Sequence, residues 1–334
     1  MADTPGKQSP GPSRDLSRSS SASDRPVTRI GVIGLGVMGG GMASRLLDQG
    51  HRIVVHNRTA ARTEPFAARG AEVAESAAAL AAQVDVVLLS LASEAAVDEQ
   101  LFGTDGVLAA LPAHGIVMDT STVSPDFARS VATRVAAQGR SAVDACIIGN
   151  GQHARDGELR FMVGGAAETF ERLATVLDPL AKEIRHLGPS GLGATAKVML
   201  NVLMGVEMQV IAESVVLAQR AGIDRDLALQ MISDSGFSSP VMRFKAGVMR
   251  RQAYGSPQFR LDLMRKDLDL ATAQARQLGV AMPVCDATHD VLAAAAEAGL
   301  GELDCAAVLA YAETAAGLAA TTNAAVNSQH DNRS

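Results

Sequence analysis

Residues 29–50 read "RIGVIGLGVMGGGMASRLLDQG": a β-branched run, three glycines at positions 34, 36 and 39, then a segment whose Met42, Leu46 and Leu47 share one face of a helix. The spacing suits a strand that turns sharply into a helix. Gly34 serves the tight turn, Gly36 lets backbone approach a ligand closely, and Gly39 lets helix pack on strand. A pyrophosphate at the helix N-terminus would meet the free N–H groups around Leu35, Val37 and Met38. A second β-branched run, 52–56, follows at the distance expected for a dinucleotide-binding unit. A glycine-rich turn without a ligand would carry the same letters.

Outward from this stretch, short β-branched runs alternate with alanine-rich helical segments, the pattern of a parallel sheet with crossover helices. Seven strands are expected, at 29–33, 52–56, 84–91, 116–119, 141–144, 160–163 and 184–186. After Gly188 the β signal stops and the chain reads as helix, beginning with an apolar run over 192–221 that predicts one long buried helix. The expected fold class is therefore α/β, a Rossmann-type doubly wound sheet followed by an all-α C-terminal domain. The expected divisions are a disordered extension over 1–27, rich in Ser, Pro and Gly, a dinucleotide-binding domain over 28–187, a helical domain over 188–320 and a flexible tail over 321–334.

The totals narrow the function classes. A chain of 334 residues has room for two domains, and a net charge of −6 gives no general attraction to nucleic acid or to an anionic membrane. No run approaches 18 uninterrupted apolar residues, and three scattered cysteines, Cys146, Cys285 and Cys305, suggest neither disulfides nor a zinc site. A soluble cytoplasmic protein is the expectation. The seven histidines show no metal-ligand spacing.

Three further motifs carry chemistry. Where the second strand ends, "NRT" places neutral Asn57 at the position where an acidic residue would bind a ribose 2′-hydroxyl. Arg58, Thr59 and Arg62 can instead meet a 2′-phosphate, which points to NADP(H), although solvated arginines would read identically. "DTSTVSP", 119–125, brings Ser121 and Thr122 to the carboxyl end of a strand, where a capped hydroxyl-rich turn is the plainer explanation. "GPSGLGATAKVMLNVLMG", 188–205, sets Lys197 and Asn201 four apart on an apolar helix, so both point the same way. A snorkelling lysine beside a core asparagine is the alternative. "FRLDLMRKDLDLA", 259–271, adds Lys266 and Asp267, taken alone a charged face.

Together these motifs, with "DACIIGNGQHARDGEL" over 144–159 and "FMVGG" over 161–165, resemble the β-hydroxyacid dehydrogenase family from residue 28 to about 316. The resemblance implies a catalytic Lys197 with Asn201 beside it, Thr122 against the nicotinamide ribose or substrate, Leu91 near the cofactor, and Lys266 reaching the cleft between the domains. It also implies a homodimer or homotetramer formed through the helical domain. Physically, an ammonium beside a carbonyl receiving hydride stabilises the developing oxyanion and gives it a proton, and burial would lower that lysine's pKa.

One motif departs from the family pattern. The segment at 144–159, read as a glycine-rich loop between two strands, has Cys146, Ile148 and Asn150 where acid-specific members carry proline, serine and glycine. Ser121, Ile148, Gly149, Asn150 and His153 are the expected substrate contacts. With Ile148 replacing a hydroxyl, the substrate is expected to differ from a standard small 3-hydroxy acid. An imine-reductase-like enzyme and a non-catalytic dinucleotide-binding protein are the alternatives, and the presence of Lys197 argues against both.

Overall fold

The computed structural model describes residues 29–318; the expected N-terminal extension, 1–27, and the expected tail, 321–334, lie outside that span. Packing divides the chain into two units between Lys197 and Val198.

The first unit is built on one eight-stranded sheet: β1 (Ile30–Ile33), β2 (Ile53–His56), β3 (Glu72–Val73), β4 (Val86–Leu89), β5 (Ile116–Asp119), β6 (Ser141–Ile148), β7 (Leu159–Gly164) and β8 (Ala181–Gly188). Their order is β3-β2-β1-β4-β5-β6-β7-β8. β1, β4 and β5 are buried throughout, because helices cover both faces of such a sheet and leave no strand half-solvated. Ile30, Val32, Val55, Leu88 and Met118 pack against Met42, Ala43 and Leu46 of the helix Val37–Asp48 in a single core. The chain runs from β1 to β2 and β3 on one side and returns to β4 on the other. The crevice past the carboxyl ends of β1 and β4 is therefore the topological switch point where such sheets bind ligands.

Three sequence expectations are corrected here. The short β3 carries no β-branched run to announce it, and its two residues are exposed. β6 continues four residues beyond Asp144, so much of the expected loop is strand: Ile147 and Ile148 are β-formers paired to Phe161 and Arg160. β6 and β7 are antiparallel, whereas the rest of the sheet is parallel. The Gly149–Glu158 connection is shorter than the dozen or more residues that a parallel crossover requires.

The helix Leu192–Arg220 starts in the first unit and continues into the second. The helices Arg225–Asp234, Pro240–Arg251, Leu261–Gln277, Pro283–Ala295 and Val308–Ala315 follow. Asp224 and Ser239 cap two of them, each side chain accepting backbone N–H groups of the first turn. Met208, Ile211 and Val215 of the long helix join Leu229, Met249, Leu268, Leu292 and Leu309 in the second core. Two ion pairs tie this scaffold: Lys245 to Asp304 at 2.7 Å and Arg225 to Glu313 at 2.6 Å.

The long helix is not buried all round, as the sequence suggested. Met199, Leu203, Val210 and Leu217 are exposed, and they recur along one face. By length and composition alone the helix is long and apolar enough to cross a membrane, and 39% of its most apolar window is buried. An apolar run marks which residues are hydrophobic, not which of them find partners within the chain.

Candidate active site

The three glycines of the first motif meet three different demands. Gly34 has φ +94°, and a Cβ there would lie 2.3 Å from the Ser90 carbonyl oxygen just past β4. Gly39 sits so close beneath the turn that a Cβ would fall 1.9 Å from the Gly34 oxygen. Gly36 faces open space: a Cβ built on it meets nothing within 4 Å. A turn, a packing contact and an open approach are what a strand–helix pyrophosphate cradle requires.

Gly36 is the N-cap of the helix Val37–Asp48, and no side chain fills the cap. The first intrahelical bond there is Gly40 N–H to the Gly36 oxygen, which leaves the N–H groups from Gly36 to Gly39 for an anion; the Leu35 N–H, expected to join them, is taken by Asn57. Leu35 N–H donates to Asn57 Oδ1 at 2.9 Å, and Asn57 Nδ2 donates to the Thr59 oxygen at 3.0 Å. Asn57 thus clamps the glycine turn to the loop after β2, while Arg58, Thr59 and Arg62 are exposed beside it. Among the described residues this arrangement fits a dinucleotide, with a basic, hydroxyl-bearing loop at the ribose end.

Across the switch point, the buried Ser121 hydroxyl accepts the Leu91 N–H at 2.9 Å, and its own N–H donates to Asp119 Oδ1. Ser121 therefore joins the ends of β4 and β5. Thr122, next along, is half-buried. Ser124 caps the helix Pro125–Ala136, accepting the Phe127 N–H, and its own N–H donates to Glu94 Oε1 at 2.7 Å.

β6 organises the lysine. At Asp144, the buried carboxylate accepts Gly191 N–H and Ala194 N–H, each at 2.9 Å, at the start of the long helix. Three residues further on, the Ile147 carbonyl accepts Lys197 Nζ at 2.9 Å. One strand thus holds both the helix start and the ammonium that the helix carries. The role of Asp144 was missed in the sequence, because its partners lie about 50 residues away and only the fold brings them together.

Burial raises the Asp144 pKa above its ordinary 3.8, and the backbone N–H donors partly oppose the rise. The folded state therefore holds that proton more tightly than the unfolded chain does. The contribution of this group to stability falls as pH rises from about 3.8 through the raised folded value. Asp144→Asn removes this titration but offers one acceptor to two N–H donors. Near neutral pH it is expected to cost about 1–3 kcal/mol, read from urea unfolding. A variant as stable as the parent would show that the cap is not needed.

Past Ile148, the predicted substrate contacts take up structural work. Asn150 Oδ1 accepts the Gln152 and His153 N–H groups, and His153 Nδ1 accepts the Asn150 N–H at 3.2 Å, a reciprocal cap on the short helix Gly151–Asp156. Gly149 is exposed at φ +146°, and Ile148 is half-buried. The short helix packs on the cofactor-motif helix, where a Cβ on Gly41 would lie 2.7 Å from that of Ala154. The connection between β6 and β7 is therefore mechanically joined to the helix that follows the glycine turn.

In the helical unit, Asn201 is 4% exposed and its Nδ2 donates to Asp267 Oδ2. Lys266 Nζ lies 3.0 Å from Asp267 Oδ1.

A doubly wound sheet with this cradle, followed by a helical unit, defines a dinucleotide-binding protein. Residues 29–188 match the NAD binding domain of 6-phosphogluconate dehydrogenase, and residues 191–312 match the domain described as NAD-binding of NADP-dependent 3-hydroxyisobutyrate dehydrogenase. The 3-hydroxyisobutyrate dehydrogenase of Pseudomonas aeruginosa is 34% identical over 264 residues, 77% of this chain and 89% of that one. The 2-(hydroxymethyl)glutarate dehydrogenase of Eubacterium barkeri is 31% identical over 290 residues, 87% and 96% of the two chains. The crystal structure of 3-hydroxyisobutyrate dehydrogenase from Salmonella typhimurium superposes with a TM-score of 0.79 at 29% identity, covering 84% of this chain and 99% of that one. The chain belongs to the β-hydroxyacid dehydrogenase family.

Proposed function

We propose that the protein is an NADP(H)-dependent dehydrogenase or reductase interconverting a carbonyl and an alcohol, with Lys197 as general acid and base. The observation that carries this reading is the Lys197 ammonium held 2.9 Å from the Ile147 carbonyl, at the end of the strand that opens into the recognition loop. A bound nicotinamide would supply or accept the hydride. Lys197 would donate a proton to the carbonyl oxygen as charge develops there and, as a neutral amine, take it back in oxidation. Asn201, one turn further along the same helix, would orient the substrate. Lys266 and Thr122 would contact the cofactor. Serine at 148 would offer the substrate a hydroxyl; Ile148 offers none, and the Asn150 and His153 groups are engaged in the helix cap. These features favour a substrate bulkier or less polar at that end than a small 3-hydroxy acid.

Turnover of a panel of aldehydes, 3-hydroxy acids and cyclic imines with NADPH and NADH tests the reading. Reduction of imines alone would favour C=N chemistry, and tight NADPH binding without any turnover would favour a non-catalytic protein. For the cofactor, Arg58→Ala is expected to weaken NADPH about 10–100-fold while leaving NADH nearly unchanged, as loss of a charge-assisted phosphate contact should. Equal losses for both cofactors, measured by fluorescence titration, would remove Arg58 from the 2′-phosphate.

A further inference from the structure

The sequence marks Asp267 only as part of a charged face, yet it is 1% exposed, and both of its carboxylate oxygens meet residues already assigned to the site. A buried carboxylate is costly unless partnered. Two other buried ion pairs among the described residues of this unit, Lys245–Asp304 and Arg225–Glu313, join scaffold segments to one another. Asp267 instead joins Asn201 of the long helix to Lys266 of its own helix, Leu261–Gln277. The two helices approach closely one turn beyond Asn201, where a Cβ on Gly205 would lie 3.2 Å from Leu268 and from Met264 Sδ.

We propose that Asp267 is a positioning residue that fixes which end of the Asn201 amide faces the reaction. This rests on the reading that Lys197 and Asn201 belong to the active site. Asn201 turns its nitrogen toward the acceptor oxygen of Asp267, which leaves Oδ1 as the group presented elsewhere. The site then offers a hydrogen-bond acceptor, suited to a substrate hydroxyl, at the turn after Lys197. The other oxygen of the same carboxylate faces Lys266 as an ion pair, so one buried group stands between the proposed cofactor contact and the proposed substrate contact.

A polarity exchange tests it. Asn201→Asp sets two carboxylates at hydrogen-bond distance, so that one must take up a proton. At pH 8, kcat/KM is expected to fall ~100-fold or more, recovering as pH is lowered. The double variant N201D/D267N restores a donor facing an acceptor and keeps an oxygen presented outward, so at least ~10-fold of the loss should return. An unaffected single variant, or a double variant no better than N201D, would overturn the assignment. Selective labelling of asparagine nitrogen provides a readout that needs no substrate: the Asn201 side-chain amide should exchange slowly with solvent in the parent and rapidly in Asp267→Leu. Rapid exchange in the parent would refute the lock even if the enzyme is active. A slow amide in a protein without turnover would instead refute only the catalytic reading.

Discussion

Lys197→Ala is expected to lower kcat by about 10²–10⁴-fold, the range in which a positioned acid–base group contributes, while NADPH affinity stays within a few-fold of the parent. The expectation follows from the separation of tasks within the first unit. The cradle is made by Gly34, Gly36, the start of the helix Val37–Asp48 and Asn57, which stand at the ends of β1 and β2. The ammonium is held from β6, on a different part of the sheet. Removing it should therefore strip proton transfer and oxyanion stabilisation without loosening the dinucleotide. Stopped-flow measurement of the hydride step and fluorescence titration of NADPH separate the two. Undiminished turnover would dismiss Lys197 as the acid, and a matching loss of cofactor affinity would show that the alanine had disturbed the fold.

The second large effect is expected at Gly39. In Gly39→Ala the added methyl carbon would lie 1.9 Å from the Gly34 carbonyl oxygen and 2.9 Å from Ser90 Cβ. The oxygen is backbone and cannot rotate away, so the helix must lift from the turn. Overpacking of this kind costs about 1–3 kcal/mol, more where the obstacle is rigid. The displacement is centred on the N–H groups proposed to face the pyrophosphate. Loss of measurable NADPH binding together with a lower Tm is the expected result. Gly36→Ala is the control: its Cβ meets no protein atom within 4 Å, so it should retain the parent's Tm and yet lose affinity. If Gly36→Ala binds NADPH normally, the open space beside Gly36 is not where the cofactor passes.

Legibility in the sequence followed the range over which each signal acts. The glycine turn and its flanking strand and helix are local, and the turn at Gly34 and the close packing at Gly39 are those their spacing implied. Lys197 and Asn201 were visible because polar groups four apart on an apolar helix need a reason. Asn150 and His153 looked like ligands because the short helix they cap was read as loop, and a histidine at the third helical position is not the usual partner in such a cap. Ser121 and Leu91 lie 30 residues apart in sequence, and Asn201 and Asp267 lie 66 apart. No periodicity announces such pairs, and only chain packing creates them.

The bond from Lys197 to the Ile147 carbonyl has a bearing on how such an enzyme can change. Every amino acid supplies the same carbonyl oxygen, so the lysine's anchor does not depend on which side chain stands at position 147, and the half-buried side chain at 148 can vary without removing it. On the proposed reading, a library of variants can therefore alter the loop while keeping the lysine's backbone anchor in place. Insertions or deletions within β6 lack that freedom, because each residue gained or lost would shift the anchor by about 3.3 Å relative to Asp144.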